Sequence, residues 1–178
     1  MNTINIFKLD DEAKTPYKAH KEDACFDLFL NLKTAKSVPC SYVQVDSDGQ
    51  YITIDTCLMV TNGMVEIPPM SSVILPTGIC MGIPEGYRVD INARSGRAAK
   101  YMQNLTNGVG VIDAGYKDEI KVMLHNNSGS QYTLKHHDKI AQFHLEKVLP
   151  TTLNEISDID QLSSTSNRKG GLGSTGDN

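Results

Sequence analysis

The sequence predicts an all-β fold, a sandwich or jelly roll of short antiparallel strands, on three observations. Its apolar residues recur mostly with period two. Turn-forming clusters, IPPMSS, LPTG, IPEGY and NNSGS, separate the periodic runs. Helix signals are few.

Taken in order, VDSDGQYITIDT holds an Asp-Gly pair between β-prone runs, which predicts a hairpin. YITIDTCLMV (51–60) and YRVDINA (87–93) alternate or nearly alternate. SGRAAKYMQ (95–103) is the best helix signal, about two turns long, with Ser95 as the expected N-cap. EIKVMLH (119–125) places Ile120, Val122 and Leu124 on one face. KIAQFHLEKV (139–148) places Ile140, Gln142 and His144 on one side and Ala141, Phe143 and Leu145 on the other. EISDIDQL (155–162) reads as a further short helical turn. From about Ser163 the chain turns Gly/Ser-rich and nearly devoid of apolar side chains, so a tail that cannot order itself is expected over 163–178. The expected organisation is therefore one domain over 1–162 followed by that tail.

The 178 residues suffice for one real core, and 39 % hydrophobic with 21 % charged residues is ordinary for a globular chain. No apolar run approaches a membrane span, and MNTINIFKLDDEAK has no secretory pattern. The cytoplasm, or a host's cytoplasm for a viral protein, is the expected location. Cys25, Cys40, Cys57 and Cys80 form no C-x-x-C pair, which disfavours a zinc or redox motif and suits reduced thiols. The net charge of −4 disfavours a general nucleic-acid binder. Basic residues sit instead in small groups, Arg94 with Arg97 and Lys100, and Arg168 with Lys169, which suits a compact anion such as a triphosphate.

Several short segments carry chemistry, each beside a plainer reading. In NARSGRAAK (92–100) a strand end meets a helix start, so backbone N–H groups, Ser95 Oγ and the Arg94 guanidinium suit an anion. An ordinary capped helix is the plainer reading. Gln142 is polar in an apolar strand and must find partners, in the backbone or in a ligand. In DACFDLF (23–29), Asp23 and Asp27 lie in an apolar setting, where a carboxylate can help hold a hydrated Mg²⁺ or simply close a turn. His20, His125, His136, His137 and His144 form no metal pattern and read as surface or hydrogen-bonded residues. RKGGLGSTG (168–176) offers two cations and many free amides, a chemistry that wraps phosphates, or an unstructured end. GVGVIDAGYKDE (108–119) sets a carboxylate, Asp113, and a ring, Tyr116, where the backbone bends.

The order of these segments is more telling than any one of them. DACFDLF, ARSGRAAK, GVIDAGY, DKIAQF and GGLGSTG resemble, in sequence order, the five motifs of the trimeric dUTPase family, from about Asp23 to Gly176. The resemblance implies a β-jelly roll assembled as a homotrimer, with active sites shared between subunits. It implies Mg²⁺-assisted cleavage of dUTP to dUMP and pyrophosphate, which limits uracil in DNA and supplies dUMP for dTMP synthesis. Asp113 matches the water-activating aspartate. Tyr116 matches the tyrosine that packs under the deoxyribose and leaves no room for a 2′-hydroxyl. A hairpin containing Asn107 matches the uracil-reading loop, and Gly110, Ile112 and Lys121 fall among the implied substrate contacts. Arg94, Ser95, Gly96 and Gln142 match phosphate-side residues. Asp27 matches the aspartate that supports the metal through water or from a second shell. Arg168, Lys169, Gly171, Leu172, Gly173 and Ser174 match the motif that closes over the nucleotide, so the tail becomes an expected lid.

The sequence departs from the family pattern at four places. Cys25 and His137 stand where Gly is usual, Lys139 where Arg is common, and Leu172 where an aromatic normally stacks on uracil. The tail arginine is also displaced, with Asn167 at its usual place and Arg168 after it. Asp27 and Arg94 lie farther apart than the family norm, and the excess falls within 33–66. That insertion is either a structural elaboration, which surface loops tolerate cheaply, or a docking surface for a protein partner. A deaminase on the same fold would need a glutamate where Met123 stands, and a thioether moves no protons. A dUTP-sensing protein without catalysis would have no chemical need for Asp113.

Overall fold

The computed structural model describes residues 2–162. Thirteen strands run in chain order: β1 (Asn5–Lys8), β2 (Phe26–Phe29), β3 (Ser37–Val45), β4 (Tyr51–Met59), β5 (Met64–Ile67), β6 (Ser71–Pro76) and β7 (Ile79–Gly82); then β8 (Tyr87–Asn92), β9 (Gln103–Leu105), β10 (Gly110–Asp113), β11 (Lys121–Asn126), β12 (Tyr132–Lys135) and β13 (Lys139–Lys147). One helix, α1 (Ser95–Tyr101), follows β8, and a single 3₁₀ turn covers Ile159–Gln161.

Every strand pair is antiparallel. A four-stranded sheet has the order β10-β8-β13-β2 and a five-stranded sheet the order β4-β3-β6-β11-β9, with the pairs β1-β7 and β12-β5 beside them. The inner faces meet in one core, where Leu28, Val89, Ile91 and Phe143 of the first sheet join Val73, Leu75, Val122 and Leu124 of the second. Period-two patterning explains this directly. Ile120, Val122 and Leu124 are all buried on one face, while Lys121 and Met123 between them are exposed. No helix among the described residues is long and apolar enough to cross a membrane.

Asp48-Gly49 does close a hairpin, between β3 and β4. Asp46 Oδ1 accepts the Asp48 and Gln50 N–H groups at 3.0 and 2.8 Å, and Gly49 takes φ +77°, a left-handed conformation open to glycine. Three expectations are corrected. Arg94, not Ser95, is the N-cap of α1; its backbone is extended and its side chain caps nothing, because a guanidinium has only donors and cannot accept from the helix N–H groups. Asn107 does not lie in a hairpin: β9 pairs with β11 and β10 pairs with β8, so the segment between them crosses from one sheet to the other. Strict alternation fails at the start of β13. The register against β2 slips between Lys139 and Ala141, so the extra residue Ile140 and its neighbour Ala141 are both buried.

Candidate functional site

The slip in β13 has a chemical consequence. Uninterrupted alternation would send Lys139 to the face opposite Gln142. With the bulge, both line one open cleft, together with Asp23 and Cys25 from the segment entering β2, Asp27 within β2 and Arg94 between β8 and α1. Asp27 lies at its centre and is 8 % exposed. Its Oδ1 accepts from Arg94 Nε at 2.9 Å and its Oδ2 meets Lys139 Nζ at 2.7 Å. The hydrogen bond from Lys139 to Asp27 raises the lysine above its ordinary pKa. Two cations share the Asp27 carboxylate, so each keeps further N–H groups for an anion, while Asp23 brings the lining to two positive and two negative charges.

The supporting contacts fix this cleft from three sides. Gln142 Nε2 donates to the Ala93 carbonyl at 3.0 Å, tying β13 to the residue before Arg94. Arg97 is not a free member of the basic group expected from the sequence. It donates to the Lys139 carbonyl at 2.7 Å, to Gln103 Oε1 at 3.1 Å and to Asp138 Oδ2 at 3.2 Å. It therefore clamps α1 onto the turn before β13 and holds Lys139 in place. Asp23 accepts the His20 N–H at 2.8 Å, the turn-closing reading. Burial pushes the Cys25 thiol up in pKa, against the pull of nearby Lys18. Ser95 and Gly96 are exposed directly after Arg94.

Asp113 lies elsewhere on the same chain. It is exposed at the end of β10, opposite Arg88 of β8, while Gly110 is opposite Ile91. Arg94 follows the other end of β8. Six residues of extended chain from Arg88 to Arg94 separate the two by roughly 20 Å. Just past Asp113 the chain turns: Tyr116 N–H donates to the Asp113 carbonyl at 3.1 Å, and Tyr116 Oη donates to the Glu119 carbonyl at 3.1 Å. That fixes the half-exposed ring beside the carboxylate. At Gly110 a Cβ would lie 3.3 Å from that of Ile91, a tight contact across the β8–β10 pair. Ile112 is half-buried against the core, and Asn107 is exposed beside Gly108, whose φ is +71°. Lys121 lines a different cavity with Asp10, Asn31 and Glu119. Arg168, Lys169, Gly171, Leu172, Gly173 and Ser174 lie outside the described residues.

The cleft thus gathers Asp27, Arg94 and Gln142, and it adds Lys139. Sequence alternation hid Lys139; only its position three residues before Gln142 in DKIAQF marked it. Glu12, His136 and His137 also come together, their nearest ligand atoms within 4.8 Å. His136 Nδ1 accepts the Leu32 N–H at 2.9 Å, so the neutral ring carries its proton on Nε2 and has no lone pair there for a cation. His137 bonds the Glu12 carbonyl through Nε2 at 2.7 Å, so this pair works as a strap for the N-terminal segment.

A family model described as dUTPase matches residues 58–176. The deoxyuridine 5'-triphosphate nucleotidohydrolase of Clostridioides difficile is 30 % identical over 176 residues, covering 99 % of this chain and 99 % of its own. Among solved structures, the dUTPase of Staphylococcus bacteriophage 80alpha with dUPNHPP aligns at a TM-score of 0.70 and 20 % identity, over 99 % of both chains. A mutant dUTPase from phage phi11 of S. aureus, described with a coordinated structural Mg(II) ion, aligns at a TM-score of 0.65 and 20 % identity, over 89 % of this chain and 99 % of its own. The two structural likenesses agree on the fold, and the two sequence matches carry the kinship. The chain belongs to the dUTPase family.

Proposed function

We propose that this chain hydrolyses dUTP to dUMP and pyrophosphate with Asp113 orienting the attacking water at the α-phosphorus and accepting its proton. The activity itself follows from the family, whose members are dUTP diphosphatases. One observation carries the assignment of roles. Segments distant in sequence, DACFDLF, ARSGRAAK and DKIAQF, converge on one cleft where Arg94 and Lys139 flank Asp27. Arg94, Lys139, Ser95, Gly96 and Gln142 are its phosphate side. Tyr116 excludes a 2′-hydroxyl, while Asn107, Gly110 and Ile112 form the base-reading edge and Lys121 is a peripheral contact.

The homotrimer with shared sites is supported by the separation of roughly 20 Å between Asp113 and Arg94 in one chain. Reacting atoms must approach to about 3–3.5 Å, so an Asp113 from one copy serving the cleft of another resolves the gap. Residues 163–178 form the lid of this reading, with Arg168 and Lys169 toward the phosphates, Leu172 over the base, and Gly171, Gly173 and Ser174 supplying backbone contacts.

The cleft residues suit a Mg²⁺ held through its waters. Both oxygens of Asp27 already hold cations, so a bound ion is supported by this carboxylate through its waters and not by direct ligation. When bound, Mg²⁺ offsets negative charge on the triphosphate. A cytoplasmic location fits four cysteines that are all free thiols. A protein partner at the 33–66 insertion is a second role, favoured by the exposure of β3 and β4 beyond the body.

The test is pyrophosphate release from dUTP with Mg²⁺, beside UTP, dTTP and dCTP. Rapid release from dUTP alone is expected. Tight binding of dUTP without release would overturn the catalytic role of Asp113.

A further inference from the structure

The insertion forms an arm. β3 and β4 pair without interruption from Ser37↔Met59 to Val45↔Tyr51, but β3 meets β6 only at Cys40, Ser41 and Tyr42. Beyond Tyr42 the two strands leave the body without a neighbouring strand. β4 is the outer strand of the five-stranded sheet. Its sequence, YITIDTCLM, holds one charge, Asp55, and neither Lys nor Pro. Apolar side chains stand in solvent along the arm: Tyr51 is 81 % exposed, Val43 61 % and Val45 52 %. A long edge strand is ordinarily protected by charge, proline, a bulge or a cover, because its unpaired N–H and C=O groups template another strand. Here the first three are nearly absent.

Charge says what the cover is. From Ser37 to Tyr87 the chain carries no Lys, Arg or His, whereas Asp46, Asp48, Asp55, Glu66 and Glu85 are acidic. A second copy is a poor cover: full-length antiparallel pairing of two β4 strands sets Asp55 against Asp55, and like charges directly opposite destabilise a sheet. We propose that the free edge of β4 takes an extended segment of another protein, alternating Lys or Arg with β-branched or aromatic residues, as an added strand. Alternation sets Asp55 and Tyr51 on one face of β4 and Ile52 and Ile54 on the other, so the basic positions meet Asp55 while the apolar ones cover Ile52 and Ile54. This proposal stands independently of the hydrolytic site.

The probe is a fluorescent nine-residue peptide alternating Lys with Val and Thr, end-capped, and a twin with Glu for Lys. Both are titrated into the full chain by anisotropy at low and raised salt, with amide hydrogen exchange followed over 51–59. The basic peptide is expected to bind, more weakly as salt rises, and to protect the β4 amides, while the acidic twin does not bind. Asp55→Lys should weaken the basic peptide by about tenfold or more and leave dUTP turnover unchanged, which separates lost docking from a lost enzyme. Equal binding of both peptides, no binding of either, or concentration-dependent protection of β4 in the protein alone would each overturn the proposal, the last by showing a second copy as the cover.

Discussion

The Asp27 cleft and the Asp113 turn are the two halves of the proposed site, and they differ in completeness. Around Asp27 the cations Arg94, Arg97 and Lys139 are all paired within the same chain, at 2.7 to 3.2 Å, through β2, β13, α1 and the turn before β13. Asp113 is exposed at a strand end, fixed by the pairing of β10 with β8 and by the turn that holds Tyr116. In the proposed reading, the difference teaches that folding of one chain suffices to assemble the Asp27 cleft but not to bring Asp113 to it. The carboxylate at Asp27 is structural charge, consumed in holding two cations. The one at Asp113 is exposed, as the proposed base requires.

The sharpest break comes from Asp113→Asn, which should lower kcat by about 10²–10⁴-fold while leaving dUTP binding nearly intact. Near-normal turnover would remove Asp113 from its role. Asp27→Ala should act on the other half, through nucleotide binding and folding together. It leaves Arg94 and Lys139 facing each other uncompensated, and should cost roughly 1–3 kcal/mol of stability. Thermal unfolding beside dUTP affinity measures both.

Mixing these two inactive variants joins the halves again. If sites are shared between copies, refolding Asp113→Asn with Asp27→Ala should restore part of the activity, because some sites then combine an intact Asp113 with an intact cleft. Absence of recovery, with mixed oligomers demonstrated, would place both halves in one chain. Deleting residues 163–178 should reduce turnover while leaving the melting temperature of the β domain unchanged; an unaltered rate would dismiss the lid.

The smallest effect is on the pH profile of stability. Lys139 is raised by its bond to Asp27, so its contribution is fully present below the unfolded lysine pKa of about 10.4 and is lost as pH rises through the higher folded value. Lys139→Met should flatten that alkaline loss in a pH series of unfolding curves.

Much of the fold was legible because a half-buried strand must alternate. Ile120, Val122 and Leu124 declared their face, and Asp48-Gly49 its hairpin, from local rules alone. The order of five motifs was legible for the same reason: each is a short run of residue types whose chemistry does not depend on distant contacts. The tertiary structure alone decided what depends on register. The bulge at Ile140 brings Lys139 to the side of Gln142, and no periodicity reveals a skipped residue. Asn107 was assigned to a hairpin because turn residues between short apolar runs look alike whether the strands pair or diverge; only the pairing of β9 with β11 and β10 with β8 shows divergence. Arg97 looked like a free cation beside Arg94 until three acceptors from other elements claimed it. Sequence by itself determined which chemical groups the protein owns and on which faces they start. Tertiary contacts decided which of those groups are spent on one another and which remain for a ligand, since pairing energies act through space and not along the chain.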